Sequence, residues 1–363
     1  MPGSSIGQRL VLTSFGESHG ICVGAVLDGC PAGLELDEND IQKMLDLRKP
    51  GQSLVSTQRK EEDRVEILSG IFRGYTTGAP IAMIIWNADH DSRAYEQLRT
   101  KMRPGHSDYP ALIKYKKFND FRGGGRFSGR LTATHVMGGA IARKLLKTTL
   151  GIETNSYTLQ IGKIRMSKVT QQMMKMIYSN EVRCPDKNTA KKMRDIILAA
   201  RKKGDSLGGV IESVTTNLPV GLGEPIFGSL ESDLGKALYS IPAVKGIEFG
   251  SGFAGAETFG SQNNDPYMIK NGKVVTKTNN AGGILGGLSN GMPIVLRIAF
   301  KPASSILKKQ TTIDIKTKKP TSLQVTGRHD PCVVPRAPPV VDSLVSLVLA
   351  DHALQGGFIK PVL

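Results

Sequence analysis

Two histidines stand in short glycine-containing segments, a setting typical of turns whose side chains face a ligand. His19 lies in residues 16–20 (GESHG), and His106 lies in residues 103–108 (RPGHSD). Imidazole exchanges protons near neutral pH, and an arginine beside it is suited to bidentate binding of phosphate or carboxylate. The two segments therefore indicate acid–base chemistry on an anionic ligand. Each segment alone is also consistent with an ordinary polar turn, in which the histidine only caps a backbone group.

A third segment, residues 122–130 (RGGGRFSGR), places three consecutive glycines among three arginines. It leads into a stretch with helical periodicity, so close backbone approach and the positive end of a helix dipole both favour an anion there. The segment lacks the Gly-Lys-Ser/Thr sequence of a P-loop, which excludes that kind of nucleotide site. From these features we predict an anion site that includes Arg126 and Arg130.

The last third of the chain carries further groups suited to phosphate. A glycine-rich segment, residues 281–287, precedes a predicted strand, which leads into residues 301–305 (KPASS). Lysine and serine side chains donate hydrogen bonds that suit phosphate oxygens. Farther along, Arg328 and Asp330 can form either an ion pair with each other or a clamp on a ligand that includes an acid–base group.

The composition excludes several classes of protein. The 363 residues include 48 Lys and Arg against 32 Asp and Glu, a net charge of +16, which indicates anionic partners. Hydrophobic residues make up 39% and charged residues 22%, values typical of a globular rather than a disordered protein. No apolar run approaches the ~18 residues of a membrane helix, and no signal peptide is recognisable. We therefore expect a cytoplasmic protein without a membrane partner.

The cysteines argue against a disulfide framework and against a structural zinc site. None of Cys22, Cys30, Cys184 and Cys332 belongs to a C-x-x-C pair. Four cysteines in a chain of this length are too few for a disulfide-stabilised fold. We therefore expect free thiols in a reducing compartment and no bound metal.

The elements that must position these side chains follow an α+β pattern. Apolar runs bounded by Gly or Pro predict strands at residues 8–15, 21–28, 80–87, 157–164, 209–216 and 292–300. Capping residues and helical periodicity predict helices at residues 38–47, 128–150, 187–203 and 338–354. Strands occur in pairs toward both ends with long helices between them, unlike the regular alternation of a doubly wound sheet. The basic residues 308–319 are interpreted as a mobile surface loop.

The segments named above also occur together in the order and spacing of one enzyme family. They resemble the motifs of chorismate synthases, and the resemblance runs from about residue 6 to the last predicted helix. It implies an α+β fold with helices packed between antiparallel sheets, a single catalytic domain over residues 1–363, and a homotetramer. It further implies a lyase of the shikimate pathway, which makes the precursor of the aromatic amino acids. The implied reaction is the anti-1,4-elimination of phosphate from 5-enolpyruvylshikimate 3-phosphate, with reduced FMN and without net redox change.

The resemblance assigns roles residue by residue. His19 would protonate or hydrogen-bond the reduced flavin, His106 would assist phosphate departure as an acid, and Asp330 would help the flavin accept the ring proton. The FMN-binding residues that it implies are Arg126, Phe127, Ser128, Pro242, Ala243, Gly286, Lys301, Pro302, Ala303, Ser304, Ser305 and Arg328. The substrate-binding residues that it implies are Ser18, Arg48, Arg103 and Arg130.

The chain departs from the common family pattern at several positions. Leu47 and Leu54 stand where many members have arginine. Fewer arginines are therefore expected near the entrance of the substrate site. The change at position 54 also argues against an NADP contact there. Phe127 replaces a small hydroxyl residue in the glycine-rich segment. Leu131 and Asp342 replace glutamates, and we expect only packing consequences from them.

Two other classes of protein stay open at this point. A basic nucleic-acid-binding protein fits the net charge, although the basic residues are dispersed and aromatic residues are only 6%. A different FMN- or phosphate-binding enzyme fits the same segments. The chain is short for a member with an additional flavin reductase segment, so we expect a monofunctional enzyme that receives reduced FMN from an external source. Residues 48–56 and 308–319 are the segments that we expect to close over the ligands.

Overall fold

The structure, a computed structural model, describes residues 3–51, 53, 55–56, 62–88, 93–167, 169–326 and 329–363. Leu54 and Arg328, both named above, lie outside the described residues. The helices and strands given below belong to the described part of the chain.

Antiparallel strands and α-helices alternate irregularly along the chain. The strands are β1 Ser5–Ile6, β2 Val11–Gly16, β3 Cys22–Asp28, β4 Glu66–Ile67, β5 Ile71–Phe72, β6 Tyr75–Thr76, β7 Ile81–Trp86, β8 Glu153–Ile161, β9 Ile164–Arg165, β10 Gly209–Thr216, β11 Val244–Phe249, β12 Tyr267–Lys270, β13 Lys273–Thr276, β14 Ile284–Leu285, β15 Leu288–Ser289, β16 Ile294–Phe300, β17 Gln310–Asp314 and β18 Lys319–Leu323. The helices are α1 Glu38–Arg48, α2 Asp108–Lys114, α3 Thr132–Leu150, α4 Gln171–Met174, α5 Lys187–Lys202, α6 Leu230–Leu238, α7 Gly260–Asn263 and α8 Pro338–Gln355.

Two five-stranded antiparallel sheets dominate the fold. The first has the order β1-β2-β3-β7-β4, and the second has the order β11-β16-β10-β8-β9. In the second sheet, Arg297 of β16 lies opposite Glu212 of β10 and Glu248 of β11. Its guanidinium pairs with both carboxylates, at 3.2 Å and 2.5 Å. This cross-strand ion network supports the register of β10, β16 and the edge strand β11.

The long helices α3 and α8 form the layer between the two sheets. α3 packs on β2 and β3 of the first sheet, whereas α8 packs on β8 and β10 of the second. A Cβ at Gly139 of α3 would lie 2.2 Å from Cβ of Ser343 on α8, so a glycine is needed where these helices cross. α8 is buried from Pro338 to Ala353. Full burial of each aliphatic side chain is worth ~1.5–3 kcal/mol, which makes this layer the main hydrophobic core.

The helix ends follow from local sequence. The Asp37 carboxylate accepts the N–H of Asp40 at 3.1 Å, and the Asp40 carboxylate accepts the N–H of Asp37 at 3.2 Å. This capping box begins α1 one residue after Asp37, as predicted. Gly151 ends α3 with a left-handed φ of 67°. The predicted ends of α5 and α8 each lie one residue from those observed.

The α+β fold class is confirmed, but three local predictions are wrong. Residues 308–319 are not a loop throughout, because β17 pairs with β18 as an antiparallel hairpin. The helix predicted to begin at residue 128 begins at Thr132, because residues 123–125 adopt left-handed backbone conformations and a short 3₁₀ turn follows them. The strand predicted at residues 157–164 is β8, which starts four residues earlier.

The four cysteines are free thiols, and three of them are buried. In the described part of the chain, no helix combines the length and apolarity needed to cross a membrane. Within the same residues, no group of three or more His, Cys, Asp or Glu side chains is placed to hold a metal ion. That the protein binds no metal stays a prediction.

Candidate active site

Most of the predicted site residues surround one cavity of about 730 Å³. Its wall combines residues of the glycine-rich segment, the 103–108 turn, the stretch before β11, and the segments before and after the β17–β18 hairpin. The predicted residues that line it are Arg48, Arg103, His106, Arg126, Phe127, Ser128, Arg130, Pro242, Ala243, Lys301, Ala303, Ser304, Ser305 and Asp330. Ser18, His19, Pro302 and Gly286 do not line it. Gly286 lies in the turn between β14 and β15, with open space beside its Cα.

The glycine-rich segment separates the two predicted catalytic histidines. Its glycines have φ values of 57°, 84° and 51° at positions 123–125, which an L side chain rarely adopts. A Cβ on Gly123 would lie 2.1 Å from Cδ2 of His19, and a Cβ on Gly124 would lie 3.5 Å from Cε1 of His106. The close approach to His19 therefore requires a glycine at position 123, whereas at position 124 the positive φ is what favours a glycine.

His19 and Ser18 reach the cavity wall from behind. His19 is 6% exposed, and its ring meets Tyr95 edge-on with a centroid separation of 5.1 Å. Tyr95 itself lines the cavity. The Ser128 hydroxyl donates to the Ser18 hydroxyl at 3.1 Å. Both residues thus contact side chains of the cavity wall, rather than the cavity itself.

Arg103, His106 and Asp108 form one hydrogen-bonded group in the wall. Asp108 Oδ1 lies 2.7 Å from Arg103 Nη2 and 2.6 Å from His106 Nδ1, and Asp108 Oδ2 accepts from Arg103 Nε at 2.8 Å. Burial alone would raise the pKa of Asp108, but the hydrogen bonds from Arg103 and His106 hold that pKa well below its usual range. Arg103 Nη1 also donates to Ser305 Oγ at 3.0 Å, which ties this turn to residues 301–305.

Arg48 and Arg130 share one buried carboxylate. Asp63 Oδ2 pairs with Arg48 Nη1 at 2.6 Å, and Asp63 Oδ1 pairs with Arg130 Nη1. None of the three side chains is more than 3% exposed. Burial would raise the pKa of Asp63, but the two guanidiniums outweigh it and lower that pKa. Two cations against one anion leave a net positive charge at the cavity.

Lys301 supplies positive charge at another part of the wall. Its Nζ donates to the Gly105 carbonyl at 3.0 Å and to Ser304 Oγ at 2.7 Å. Burial and the nearby Lys245, which also lines the cavity, lower the pKa of Lys301. A bound anion would relieve both effects, so this part of the cavity suits a phosphate.

Asp330 is held by an arginine of the segment that leads into α8. Its Oδ2 lies 2.5 Å from Arg336 Nη1, and Arg336 Nε donates to the Arg48 carbonyl at 3.2 Å. The neighbouring His329 also lines the cavity, and burial together with Arg103 lowers its pKa. The sequence left open an ion pair between Arg328 and Asp330; the partner described here is Arg336.

Sequence reasoning does not identify several residues that hold this site together. Asp108 stands two residues after His106, a spacing that could have drawn attention to it. Asp63 pairs with arginines 15 and 67 residues away, so no local signal marks it. Tyr95 and Lys245 are also missed, whereas His329 and Arg336 belong to segments near Asp330 that the sequence singles out but receive no role.

Comparisons with known proteins point to one family. The family model described as "Chorismate synthase" matches residues 10–354. A "Chorismate synthase" of Dehalococcoides mccartyi is 52% identical over 361 residues, which covers 99% of each chain. One of Korarchaeum cryptofilum is 52% identical over 356 residues and covers 98% of each chain. A "Crystal Structure of Chorismate Synthase" superimposes with a TM-score of 0.77 at 31% identity, covering 96% of this chain and 93% of the other.

Proposed function

The chain belongs to the chorismate synthase family, and we propose that the 730 Å³ cavity is where it eliminates phosphate from 5-enolpyruvylshikimate 3-phosphate to form chorismate. Enzymes of this family are carbon–oxygen lyases that act on a phosphate ester. Relatives of this name match over nearly the full length, so the nucleic-acid-binding alternative is not supported.

The observation that carries the proposal is the convergence of cationic side chains on this one cavity. Arg48, Arg103, Arg130 and Lys301 come from four separate parts of the sequence and line the same cavity as His106. The substrate carries two carboxylates and a phosphate, so it needs several positive groups in one enclosed place. Guanidiniums bind such groups bidentately, and their effect is larger where water is partly excluded.

Chorismate synthases in general use reduced flavin, and the cavity offers suitable groups for FMN. Lys301 and Lys245 repel one another, and a bound anion would offset this repulsion. The hydroxyl-bearing residues Ser304 and Ser305 line the same cavity. We therefore assign the FMN phosphate to this part of the cavity, with Ala243 and residues 126–128 as further contacts. When bound, the reduced flavin would lend electron density to the substrate ring and accept its proton.

The chain's own residues handle the remaining protons. His106 gives a proton to the departing phosphate, which converts a poor leaving group into a better one. To Asp330, which pairs with Arg336 at 2.5 Å and lines the cavity, we assign the role of helping the ring proton leave. His19 acts indirectly, through residues of the cavity wall, because it contacts Tyr95 and the Gly123 backbone position rather than the cavity. Substrate binding belongs to Arg48, Arg103 and Arg130 with Ser18 behind them.

Exposed apolar side chains support assembly into a homotetramer. Phe227, Phe253 and Phe259 are 93%, 82% and 78% exposed, and all three come from the region between β10 and β12. Exposed aromatic groups of this size are typical of a surface that another chain covers when they lie together. We further propose a single catalytic domain, a cytoplasmic location and an external source of reduced FMN.

The proposed function is tested by phosphate release from 5-enolpyruvylshikimate 3-phosphate under anaerobic conditions. One sample contains FMN kept reduced by dithionite, and a parallel sample contains oxidised FMN. We expect phosphate and chorismate absorbance only in the reduced sample. No product from folded protein that binds FMN would contradict the assignment of this substrate. NADPH-driven turnover by the pure protein would contradict the external source of reduced flavin.

A further inference from the structure

Asp108 is the carboxylate that holds both the proposed acid and the arginine beside it. We infer that Asp108 is a positioning residue for His106: it fixes Nδ1 of the ring, so that Nε2 is the atom that passes a proton to the departing phosphate. The inference rests on the proposed role of His106 in phosphate departure.

The first argument is the geometry of the imidazole ring. His106 Nδ1 lies 2.6 Å from Asp108 Oδ1, a distance at which an N–H donates to a carboxylate. An ionised carboxylate only accepts hydrogen bonds, and Asp108 Oδ1 lies nearer to Nδ1 than Arg103 Nη2 does, at 2.6 Å against 3.1 Å, so we assign the proton to Nδ1. The neutral ring then has its free lone pair on Nε2, and the protonated ring has a transferable proton there.

The second argument is the space beside Nε2. A Cβ on Gly124 would lie 3.6 Å from Nε2 of His106, and Gly124 has none. The edge of the ring opposite Asp108 therefore faces a backbone without a side chain, and His106 lines the cavity. A phosphate oxygen can approach this edge, whereas the Nδ1 edge is occupied.

The charged groups around the His106 ring also favour this role of Asp108. Arg103 Nη2 lies 3.1 Å from His106 Nδ1, so a protonated ring here faces a cation. Asp108 lies between the two and bonds to both, and it also accepts the backbone N–H of Arg103 at 3.1 Å. Beyond this turn, Lys301 bonds to the Gly105 carbonyl, and His329 interacts electrostatically with His106. Neither is an anion, and Asp108 is the carboxylate that contacts the ring.

The proton transfer balances as follows. The Nε2–H bond of protonated His106 breaks, and its proton joins an oxygen of the leaving phosphate. The C–O bond breaks with its electron pair on that phosphate. The ring C–H bond breaks in the same elimination: its electron pair stays in the ring as the new double bond, and its proton leaves with the help proposed above for Asp330. His106 is left neutral, with its remaining proton on Nδ1 facing Asp108.

The kinetic test compares the wild type with Asp108→Asn and Asp108→Glu under anaerobic conditions. The control is Asp195→Asn, which changes an aspartate that is 58% exposed on α5. An asparagine favours the protonated ring less than a carboxylate does. We therefore expect kcat of Asp108→Asn to fall ~100-fold at pH 8 with a smaller change in KM, and the alkaline limb of its kcat profile to move to lower pH. Asp108→Glu keeps the limb near that of the wild type.

A spectroscopic test does not depend on turnover. In protein labelled with ¹⁵N-histidine, the His106 signal is identified by its loss in His106→Gln. We expect neutral wild-type His106 to be the Nδ1–H tautomer, and Asp108→Asn to lose that preference. An Nε2–H tautomer in the wild type would overturn the inference even if the variant does not fold, and so would an unchanged alkaline limb in folded Asp108→Asn. The predicted tautomer in a protein that forms no chorismate would instead overturn the proposed function and leave the positioning of His106 standing.

Discussion

Two buried aspartates show how differently the cavity wall and the helical core treat the same side chain. Asp63 beneath the cavity and Asp342 on α8 have side chains that are 0% and 1% exposed. Asp63 contacts two buried guanidiniums, and its pKa is lowered. Asp342 contacts one, that of Arg143, which lies at 3.1 Å and is 28% exposed. Burial dominates there and raises the pKa of Asp342 to about 6.

The comparison teaches that the number and burial of cationic partners decide whether a buried carboxylate stays ionised. A cavity that binds a polyanion must keep several arginines close together. A shared carboxylate makes this possible, since it offsets part of their mutual repulsion and fixes their geometry. The helical core has no such need, and the buried carboxylate of Asp342 is a cost rather than a component of a site.

The largest effect on stability is expected from removing the buried carboxylate beneath the cavity. Asp63→Asn leaves two buried guanidiniums without their anion, a change that typically costs ~3–5 kcal/mol. We expect the free energy of unfolding to fall by about that amount in urea denaturation. Asp195→Asn, on an exposed site, should change it by less than about 0.5 kcal/mol. A loss as small as this control in Asp63→Asn would contradict the role of the shared carboxylate.

The role of Asp342 in the helical core is tested by comparing how the stabilities of the wild type and Asp342→Asn depend on pH. The folded-state pKa of about 6 lies above the ordinary value of 3.8, so folding favours the protonated form. The stabilisation is full below about pH 4 and is lost as the pH rises through 6. At 1.36 kcal/mol per pKa unit, the wild type should lose up to about 3 kcal/mol relative to the variant between pH 4 and 8. Parallel stability curves for the two proteins would contradict the raised pKa, because they would mean that Asp342 binds protons equally in the folded and unfolded states.

Lys301 extends the comparison to a cation without a carboxylate. Within the described residues no acidic side chain pairs with it, and Lys245 is its charged neighbour. Lys301→Gln should raise the dissociation constant of FMN ~10-fold, equivalent to about 1.4 kcal/mol, because a phosphate contact is lost. Riboflavin, which has no phosphate, should bind both proteins alike. The matched control is Lys308→Gln, an exposed lysine paired with Asp205; equal losses for FMN and riboflavin would place the phosphate elsewhere.

The sequence predicts the helical layer better than the cavity, for a physical reason. Caps such as Asp37 and Gly151 act within a few residues, so α1 and the end of α3 are predicted closely. β17 is polar, alternates between half-buried and exposed residues, and is flanked by lysines. Its segment is therefore predicted as a loop, and its pairing with β18 is not predicted.

The cavity depends on contacts between distant residues. Most of the side chains proposed for catalysis and anion binding are recognisable from the family motifs. The residues that hold them are not, because Asp63 meets Arg130 only once β7, α3 and their connections have folded together. Gly286 shows the converse: it belongs to a recognised segment, yet the fold places it away from the cavity.

The central claim is that His106 and the cationic groups around it carry out the elimination in this cavity. Its most direct test is anaerobic phosphate release by His106→Gln with reduced FMN, beside the wild type and Asp195→Asn. We predict that kcat of His106→Gln falls at least ~100-fold, as loss of a positioned acid requires, while FMN binding is unchanged. Turnover of His106→Gln at the wild-type rate would contradict the claim and place the acid outside this cavity.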